Sequence, residues 1–400
     1  MSCQSACEAR SDLSVSVIIP TYNREHFVGA SIDAVLAQLR PGDELIVVND
    51  GSPDNTDAVL TTYGDRIRVV NQENKGKAAA LNSGLGQATR ELVWIVDDDD
   101  IVASDARDRL VRALIKSPDA GFAYGRHDRF RERADSELID YFDTGYWCDC
   151  PPEEFLIHSM EDLFAHHPGM MVRRSVYDAI GGFDASLDRS EDYEMTIRLG
   201  IYARPVAVDG ILFHQRQHSG DRGSGAKKVR EIDRERNWIL NDQAIFLRFF
   251  DSLDLSFYLP DRQLDKPSLL RQAHLERGTI LARRHLWGRA IDELEIAVNI
   301  DVAGAKLSEE ERKIVRRWSG SKFGCMDLVR DSDIYSRLAG LAKTSRLGSE
   351  IAYNISRSLW WRIRQHAQQG QFADAWAYAA FSAKLIAKVL LSSPPADASR

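Results

Sequence analysis

The chain has few cysteines and no extended basic stretch, and each shortage argues against a class of function. Five cysteines among 400 residues are few, odd in number and without a Cys-x-x-Cys pair, which argues against a structural zinc site. Cys148 and Cys150 are expected to be incidental reduced thiols. A net charge of −8 without a long lysine or arginine run argues against a nucleic-acid-binding surface, so no nucleic-acid partner is expected.

Long apolar runs are also missing. No segment approaches the ~20 consecutive apolar residues that a membrane-spanning helix needs, so no transmembrane segment is predicted. Residues 1–13 are polar, lack the apolar core of a signal peptide, and are expected to form a flexible N-terminus. A cytoplasmic protein with enough apolar residues for two or three folded units is therefore expected.

What the chain does contain is a short apolar run that ends abruptly in carboxylates. Leu92 to Val96 is apolar and rich in β-branched residues, and Asp97 to Asp100 follow it directly. Such a run is typical of a strand buried on both faces of a sheet. Because closely spaced carboxylates repel one another, they favour a bound cation, and oxygen ligands suit Mg²⁺ or Mn²⁺. The alternative is an acidic loop that simply faces water.

Strand and helix patterns alternate through the N-terminal half, which favours a parallel α/β sheet with right-handed crossovers. The predicted strands are Val15 to Ile19, which Pro20 is expected to end, Glu44 to Val48, Ile67 to Val70, and Leu92 to Val96. Because the carboxyl ends of parallel strands share one edge, three polar segments should meet there as a nucleotide site. These segments are Thr21 to Glu25, Asn49 to Ser52, and Asp97 to Asp100. Neither a GxxxxGK[ST] loop nor a GxGxxG turn is present to explain such a site.

Several ordered motifs occupy these strand ends and the region after them. They are Val17 to Arg24, Val47 to Ser52, Asn74 to Gly84, Asp97-x-Asp99-Asp100, and Gly181 to Asp184 ahead of Ser190 to Glu194. In this order the motifs resemble family 2 of the glycosyltransferases over residues 14–225. The resemblance implies the A-type glycosyltransferase (GT-A) fold, an α/β nucleotide-diphospho-sugar transferase fold with a Rossmann-like mixed sheet.

The resemblance also implies which residues bind the nucleotide and the metal. Asp50 would bind the base, Asp97 would touch the ribose, and Asp99 would hold a Mn²⁺ or Mg²⁺ ion that bridges the diphosphate. The implied nucleotide pocket comprises Pro20, Thr21, Tyr22, Asn23, Glu25, Asp50, Lys77, Asp97 and Asp98. Individually, Asp50 also suits a plain Asx turn, and Glu25 suits a helix N-terminus.

The remaining implied roles concern the base and the histidines. Asp192 would be the general base, and its neighbour Glu191 would orient the acceptor or merely cap the helix. His218 would be a further metal ligand or would contact the diphosphate, with His214 as the competing candidate.

The predicted chemistry is a single displacement. Departure of a nucleoside diphosphate builds negative charge on the phosphate, and the attacking hydroxyl needs a base on the opposite side of the sugar, so the anomeric carbon inverts. The expected donor is a nucleotide-sugar, most simply a UDP-sugar. The expected acceptor is a glycan, lipid-linked or protein hydroxyl in cell-surface or secreted glycan assembly. The alternatives are a nucleotidyltransferase and a catalytically silent nucleotide- or glycan-binding scaffold.

Three further features each allow two interpretations. Four aromatic residues between the acidic run and the Gly-Gly-Phe turn either stack on a sugar ring or pack against the sheet. They are Tyr141, Phe142, Tyr146 and Trp147. His166 and His167 are either metal ligands or ordinary loop histidines. The glycine-rich segment 219–228 is either a lid that closes on the donor or an interdomain linker.

Strand patterns disappear after Val229, so residues 226–400 are predicted to form an all-α accessory domain. Leu275 to Ala297 resembles a tetratricopeptide helix pair, and a weaker copy is centred on Gly370 to Phe372. Their separation is not a multiple of the repeat, so isolated hairpins are expected. The domain would serve acceptor recognition, self-association into an oligomer or partner docking, or would only pack. Ala379 to Leu391 is amphipathic, which suits peripheral contact with an inner membrane face, although burial is favoured.

Overall fold

The computed structural model describes residues 13–132, 139–187, 189–217, 234–302 and 306–392. They form two compact units, the first within Met1–Ser159 and Leu163–Arg234 and the second within Met160–Asp162 and Glu235–Arg400. Residues 1–12 of the predicted flexible N-terminus 1–13, the predicted boundary after residue 225 and the candidate lid 219–228 lie outside the described residues.

The first unit contains one mixed sheet. Its strands are β1 (Val15–Thr21), β2 (Glu44–Asn49), β3 (Arg68–Asn71), β4 (Leu92–Ile95), β5 (Ile101–Val102), β6 (Ala120–Glu132), β7 (Ile139–Thr144), β8 (Met170–Arg173) and β9 (Arg204–Arg216). They lie in the order β3-β2-β1-β4-β8-β6-β9-β5, and β7 pairs with β6. The first four strands are parallel, whereas β8 runs antiparallel to both β4 and β6. The predicted α/β fold with a mixed sheet is confirmed.

Helices cover both faces of this sheet. They are α1 (Val28–Leu36), α2 (Thr56–Thr61), α3 (Lys77–Gln87), α4 (Ala106–Lys116), α5 (Phe155–Glu161), α6 (Arg174–Ile180) and α7 (Glu191–Tyr202). Side chains of β1 alternate between the faces, so that Val17 and Ile19 share a core with α1 and α4. Ile18 points the other way and shares a core with α3 and α7. This double burial explains why the strands read as nearly continuous apolar runs.

Strand β1 runs beyond its predicted end at Ile19, so the prediction that Pro20 stops the strand is wrong. The backbone groups of successive strand residues point toward opposite neighbours, and Ile18 O accepts from Val96 N on the β4 side. The missing N–H of Pro20 faces the same side, where pairing with β4 has already ended at Ile95. No ladder hydrogen bond is therefore lost.

The second unit is helical, and its described residues contain no strand. Its helices are α8 (Arg234–Ser252), α9 (Pro267–Arg283), α10 (Trp287–Val298), α11 (Glu309–Arg316), α12 (Met326–Arg330), α13 (Ser332–Thr344), α14 (Arg346–Ser358), α15 (Trp360–Gln368) and α16 (Phe372–Ser392). They share one apolar core. A Cβ at Gly278 would lie 3.1 Å from Ala290 O, which explains the small residue where α9 meets α10.

Helix α16 packs one face against the core of the second unit. Phe381 and Leu385 lie in the core, as predicted, whereas Leu390 is 70% exposed. Among the helices that the structure describes, none combines the length and the apolar character needed to cross a membrane.

Candidate active site

The loops after β1 and β2 are joined by hydrogen bonds at the carboxyl edge of the sheet. Asn23 N donates to Ser52 Oγ (3.0 Å), and Glu25 N donates to Asp54 Oδ2 (3.0 Å). In return, Glu25 Oε2 accepts from Asn55 N at 3.0 Å. Asn23 has a φ of 58°, a left-handed conformation that asparagine tolerates better than most residues. These hydrogen bonds therefore fix the loop that carries the predicted pocket residues Asn23 and Glu25.

The predicted pocket residues that precede Asn23 are buried or half-buried. Pro20 and Thr21 are buried at the end of β1, and Tyr22 beside them is half-buried.

Asp50, the predicted base contact, is buried and organises the loop that follows β3. Its Oδ1 accepts from Lys75 N (2.9 Å) and Gln72 Nε2 (2.7 Å), and its Oδ2 accepts from Gly76 N (2.8 Å). Gly76 has a φ of 91°, which favours glycine. Asp50 thereby sets the path of the chain into α3, whose first residue is Lys77.

The acidic run after β4 divides into residues with different environments. Arg24 Nε lies 3.6 Å from Asp98 Oδ1, and Arg24 Nη2 lies 3.9 Å from Asp99 Oδ2. Burial, followed by repulsion from Asp99, raises the pKa of Asp98 to about 7. Asp100 is buried and accepts from Arg216 N at 3.0 Å, and its backbone oxygen accepts from Ser31 Oγ at 2.7 Å. The fourth carboxylate is therefore part of the fold rather than of the open site.

Arg216 supports the acidic run from behind. Its Nε donates to Asp99 O at 2.8 Å, and its guanidinium lies 5.1 Å from the Phe27 ring centre and 4.7 Å from that of Phe130. It also pairs with Glu132. The sequence motifs did not reveal this supporting role of Arg216.

We expect Arg216→Lys to lower the free energy of unfolding by about 1–3 kcal/mol, because a lysine cannot reproduce the planar hydrogen bonds or the stacking. Urea unfolding followed by circular dichroism measures the change. Arg204→Lys is the matched control, since Arg204 is 60% exposed in its pair with Asp119. Equal, small effects in both variants would show that Arg216 does not support the site.

Lys77 connects the acidic run to the N-terminus of α7. Its Nζ lies 2.6 Å from Asp97 Oδ1 and 4.0 Å from Glu191 Oε1. Burial opposes the positive charge, but Asp97 and Glu191 outweigh it and raise the pKa of Lys77. The strand end and the Glu191-Asp192 pair, far apart in sequence, therefore belong to one site.

A network of hydrogen bonds positions the start of α7. Asn82 Nδ2 donates to Phe183 O (2.8 Å), and Phe183 N donates to Asn82 Oδ1 (2.7 Å). Arg198 Nη2, on α7, donates to Gly182 O at 2.7 Å. A Cβ at Gly182 would lie 2.3 Å from Asn82 Oδ1, so a larger residue there would break this arrangement. The Gly-Gly-Phe turn is thus tied both to α3 and to the helix that follows.

The two acidic residues at the start of α7 differ in protonation. Burial, followed by repulsion from Asp192, raises the pKa of Glu191 to about 7. Burial also opposes the charge of Asp192, but Lys77, His167, His166 and the Tyr193 N–H together outweigh it and lower the pKa of Asp192. Asp192 Oδ1 further accepts from Tyr193 N at 2.8 Å. Near neutral pH the site therefore holds an ionised Asp192 beside a partly protonated Glu191.

The raised pKa of Glu191 predicts a pH-dependent cost to stability. From its ordinary value of 4.5 up to about 7, the folded protein keeps a proton that the unfolded chain has lost, so stability falls across that window. We expect the melting-temperature advantage of Glu191→Gln over the wild type to grow from about pH 5 to about pH 8. Differential scanning calorimetry measures it, with exposed Glu153→Gln as the control. An advantage that is equal at both pH values would contradict the assignment.

The histidines fall into separate environments. His214 Nδ1 lies 2.6 Å from Asp128 Oδ1, between β9 and β6. His218 lies outside the described residues, so its role as a metal ligand stays a prediction. His167 is buried, and neither ring nitrogen has a hydrogen-bond partner among the described residues. Its charge environment includes Asp192 and Lys77, so it belongs to the site.

The four candidate aromatic residues separate into two groups. Tyr141, Phe142 and Tyr146 are exposed at 56%, 53% and 48%. Trp147 instead packs against Tyr124 and Phe164, at ring-centre distances of 5.5 and 5.7 Å. Trp147 is therefore half-buried against the core, while the other three are exposed to solvent.

A divalent cation would fit the acidic run only with help from a ligand. Among the described residues, no three histidine, cysteine, aspartate or glutamate side chains are grouped as a ready-made metal site. Burial, followed by repulsion from Asp99, raises the pKa of Asp98, and a bound cation would relieve that repulsion. Asp99 and the phosphate oxygens of a bound nucleotide together form a suitable oxygen donor set.

Part of the chain is similar in sequence to known glycosyltransferases. Residues 16–181 match the family model for Glycosyl transferase family 2. An uncharacterized glycosyltransferase of Rickettsia felis is 29% identical over 227 residues, which cover 56% of this chain and 37% of the relative. Chondroitin synthase of Pasteurella multocida is 26% identical over 251 residues, which cover 60% of this chain and 24% of the synthase.

A solved structure has a similar fold. The crystal structure of S. aureus TarS 1-349 in complex with UDP-GlcNAc aligns with a TM-score of 0.50 at 15% identity, over 93% of this chain and 92% of that one. Over residues 16–181, the chain is therefore similar to Glycosyl transferase family 2.

Proposed function

We propose that this protein is a metal-dependent, inverting glycosyltransferase that moves a sugar from a UDP-sugar to a hydroxyl group of an acceptor. The observation that carries the proposal is the position of Lys77 Nζ, 2.6 Å from Asp97 Oδ1 and 4.0 Å from Glu191 Oε1. Lys77 joins the nucleotide edge of the sheet to the start of α7, which carries the candidate base Asp192, as a displacement between two flanks of one sugar requires.

On the leaving-group side, cationic side chains line the acidic run. Asp99 would hold the Mn²⁺ or Mg²⁺ ion, which when bound stabilises the negative charge of the departing diphosphate. Lys77 carries its positive charge beside Asp97, and Arg24 carries its charge beside Asp98 and Asp99. Pairing with carboxylates in the free protein keeps both cations in place until phosphate oxygens arrive.

On the acceptor side, Asp192 is suited to remove the hydroxyl proton. Its lowered pKa keeps the carboxylate ionised at neutral pH, and the N-terminus of α7 favours that negative charge. The acceptor oxygen attacks the anomeric carbon as the diphosphate leaves, the proton passes to Asp192, and the configuration inverts. Glu191, protonated in part near neutral pH, can donate a hydrogen bond to the acceptor.

The donor and the metal can be tested together. We expect the melting temperature to rise with one of UDP-glucose, UDP-galactose, UDP-GlcNAc or UDP-GalNAc, and only in the presence of Mn²⁺ or Mg²⁺. Greater stabilisation by GDP-mannose would contradict the UDP assignment. No stabilisation by any nucleotide-sugar would contradict the proposed function.

Product analysis separates the two alternative functions. Release of UDP with transfer to a glycan, lipid-linked or protein acceptor supports the proposal, and a product of inverted anomeric configuration supports the single displacement. Release of pyrophosphate would identify a nucleotidyltransferase. Tight binding of a UDP-sugar without transfer or hydrolysis would identify a silent binding protein.

A further inference from the structure

His167 is a buried polar side chain that the mechanism above does not use. It is 4% exposed, and neither Nδ1 nor Nε2 has a hydrogen-bond partner among the described residues. A buried imidazole without partners costs folding free energy, and such unsatisfied groups concentrate at functional positions. A ligand that forms hydrogen bonds with these two nitrogens would remove this cost.

The turn that carries His167 is fixed to the acidic strand and to the Gly-Gly-Phe turn. Trp94 Nε1, on β4, donates to Pro168 O at 2.9 Å. The His167 ring lies edge-on to the Phe183 ring, 5.4 Å between centres. A Cβ at Gly169 would lie 3.0 Å from Gly125 O, so the turn also packs closely on β6. These contacts hold the imidazole rigidly between the two halves of the site.

The charges around His167 show which part of a substrate it would meet. They belong to Asp192 on the acceptor flank and to Lys77 and Asp97 on the leaving-group flank. In the proposed displacement, which this step rests on, the donor sugar lies between those flanks. The turn contacts Trp94 on the strand that leads to the acidic run, and the His167 ring contacts Phe183 ahead of α7. The part of a donor that His167 would meet between them is the sugar rather than the base.

The protonation state favours a neutral partner. Burial lowers the pKa of His167 to about 4, so the ring is uncharged at neutral pH. A neutral imidazole has one N–H donor and one bare nitrogen acceptor. A sugar hydroxyl, which also donates and accepts, matches this pair, whereas a phosphate would prefer a cation.

We propose that His167 binds a hydroxyl group of the donor sugar and thereby selects which sugar is transferred. The role is a specificity contact with the substrate. It requires no metal, and it uses nitrogens that have no other partner in the described protein.

The test compares UDP with the UDP-sugar that stabilises the wild-type protein most. His167→Phe keeps an aromatic ring that can contact Phe183 but removes both nitrogens. We expect the Kd of the UDP-sugar to rise about tenfold, while the Kd of UDP changes less than about twofold. Isothermal titration calorimetry with both ligands measures the two effects. His167→Asn, which retains a donor and an acceptor, should restore part of the loss.

Deoxy-sugar donors identify the hydroxyl. For the wild type, removal of one particular hydroxyl should weaken binding about tenfold, and in His167→Phe the same removal should cost nothing further. His127→Phe is the matched control, because His127 is also buried with Nε2 unpartnered, yet its charge neighbours are His166 and Arg129. That variant should retain the wild-type preference for the UDP-sugar.

The outcomes separate this inference from the proposed function. If the wild type binds a UDP-sugar and His167→Phe binds it equally well, or loses UDP and UDP-sugar affinity alike, the sugar contact is wrong while the glycosyltransferase stands. If no nucleotide-sugar binds the wild type, the proposed function fails and this inference falls with it. Should His167→Phe not fold, His167→Asn and the deoxy-donor series on the wild type decide, and equal affinity for all deoxy donors would overturn the inference.

Discussion

Asp192→Asn is expected to lower kcat by about 100- to 10,000-fold while leaving the affinity for the UDP-sugar almost unchanged. The carboxylate of Asp192 is ionised at neutral pH because Lys77, two histidines and the Tyr193 N–H together outweigh the effect of burial and lower its pKa. An amide has nearly the same shape but cannot take the hydroxyl proton, so only the chemical step should suffer. Single-turnover transfer to an acceptor measures the rate, and calorimetric titration of the donor measures the affinity.

The control for this change is an exposed aspartate in the same domain. Asp178 lies on α6 with its side chain 60% exposed beside Arg174, so Asp178→Asn makes the same chemical change outside the site. It should leave both constants unaltered. A kcat for Asp192→Asn within about threefold of the wild type would remove Asp192 from the role of base, since general bases contribute far more. Equal loss of binding and rate would instead indicate a structural role.

The strand ends were predictable because they depend on local pattern and on one general property of parallel sheets. Asp97 follows an apolar run directly, Asp50 follows one after Asn49, and the carboxyl ends of such strands meet at one edge. The Gly-Gly-Phe turn was predictable from motif order alone. Its tie to Asn82, through two hydrogen bonds, is tertiary information that no local pattern contains.

The sequence alone could not distinguish the neighbouring aspartates of the acidic run from one another. Asp99 and Asp100 are adjacent and chemically identical, yet Asp100 is buried against Arg216 N and the hydroxyl of Ser31. The distinction depends on β9 and α1 arriving from distant parts of the chain. His167 was limited for the same reason to two interpretations, metal ligand or loop histidine, because burial without a hydrogen-bond partner exists only in the folded protein.

The second large effect concerns the metal. With ligand and Mn²⁺ at about 100 times the Kd, the wild type should gain about 2.7 kcal/mol of stability. If Asp99→Asn weakens binding about 100-fold, the gain falls to about 0.4 kcal/mol by the same relation. The rise in melting temperature should then shrink from several degrees to about one degree. Differential scanning calorimetry with UDP-sugar, with and without Mn²⁺, measures the difference.

A control substitution distinguishes loss of the bound cation from loss of a negative charge elsewhere in the domain. Asp119→Asn removes a carboxylate that is 60% exposed beside Arg204, and it should keep the full metal-dependent rise. Because Arg24 Nη2 lies 3.9 Å from Asp99 Oδ2, the substitution also frees a cation that can bind phosphate directly. Asp99→Asn should therefore retain weak, metal-independent binding of UDP. If instead Asp99→Asn kept the Mn²⁺-dependent rise, the cation would have to be held elsewhere, and Asp99 would serve only to position Arg24.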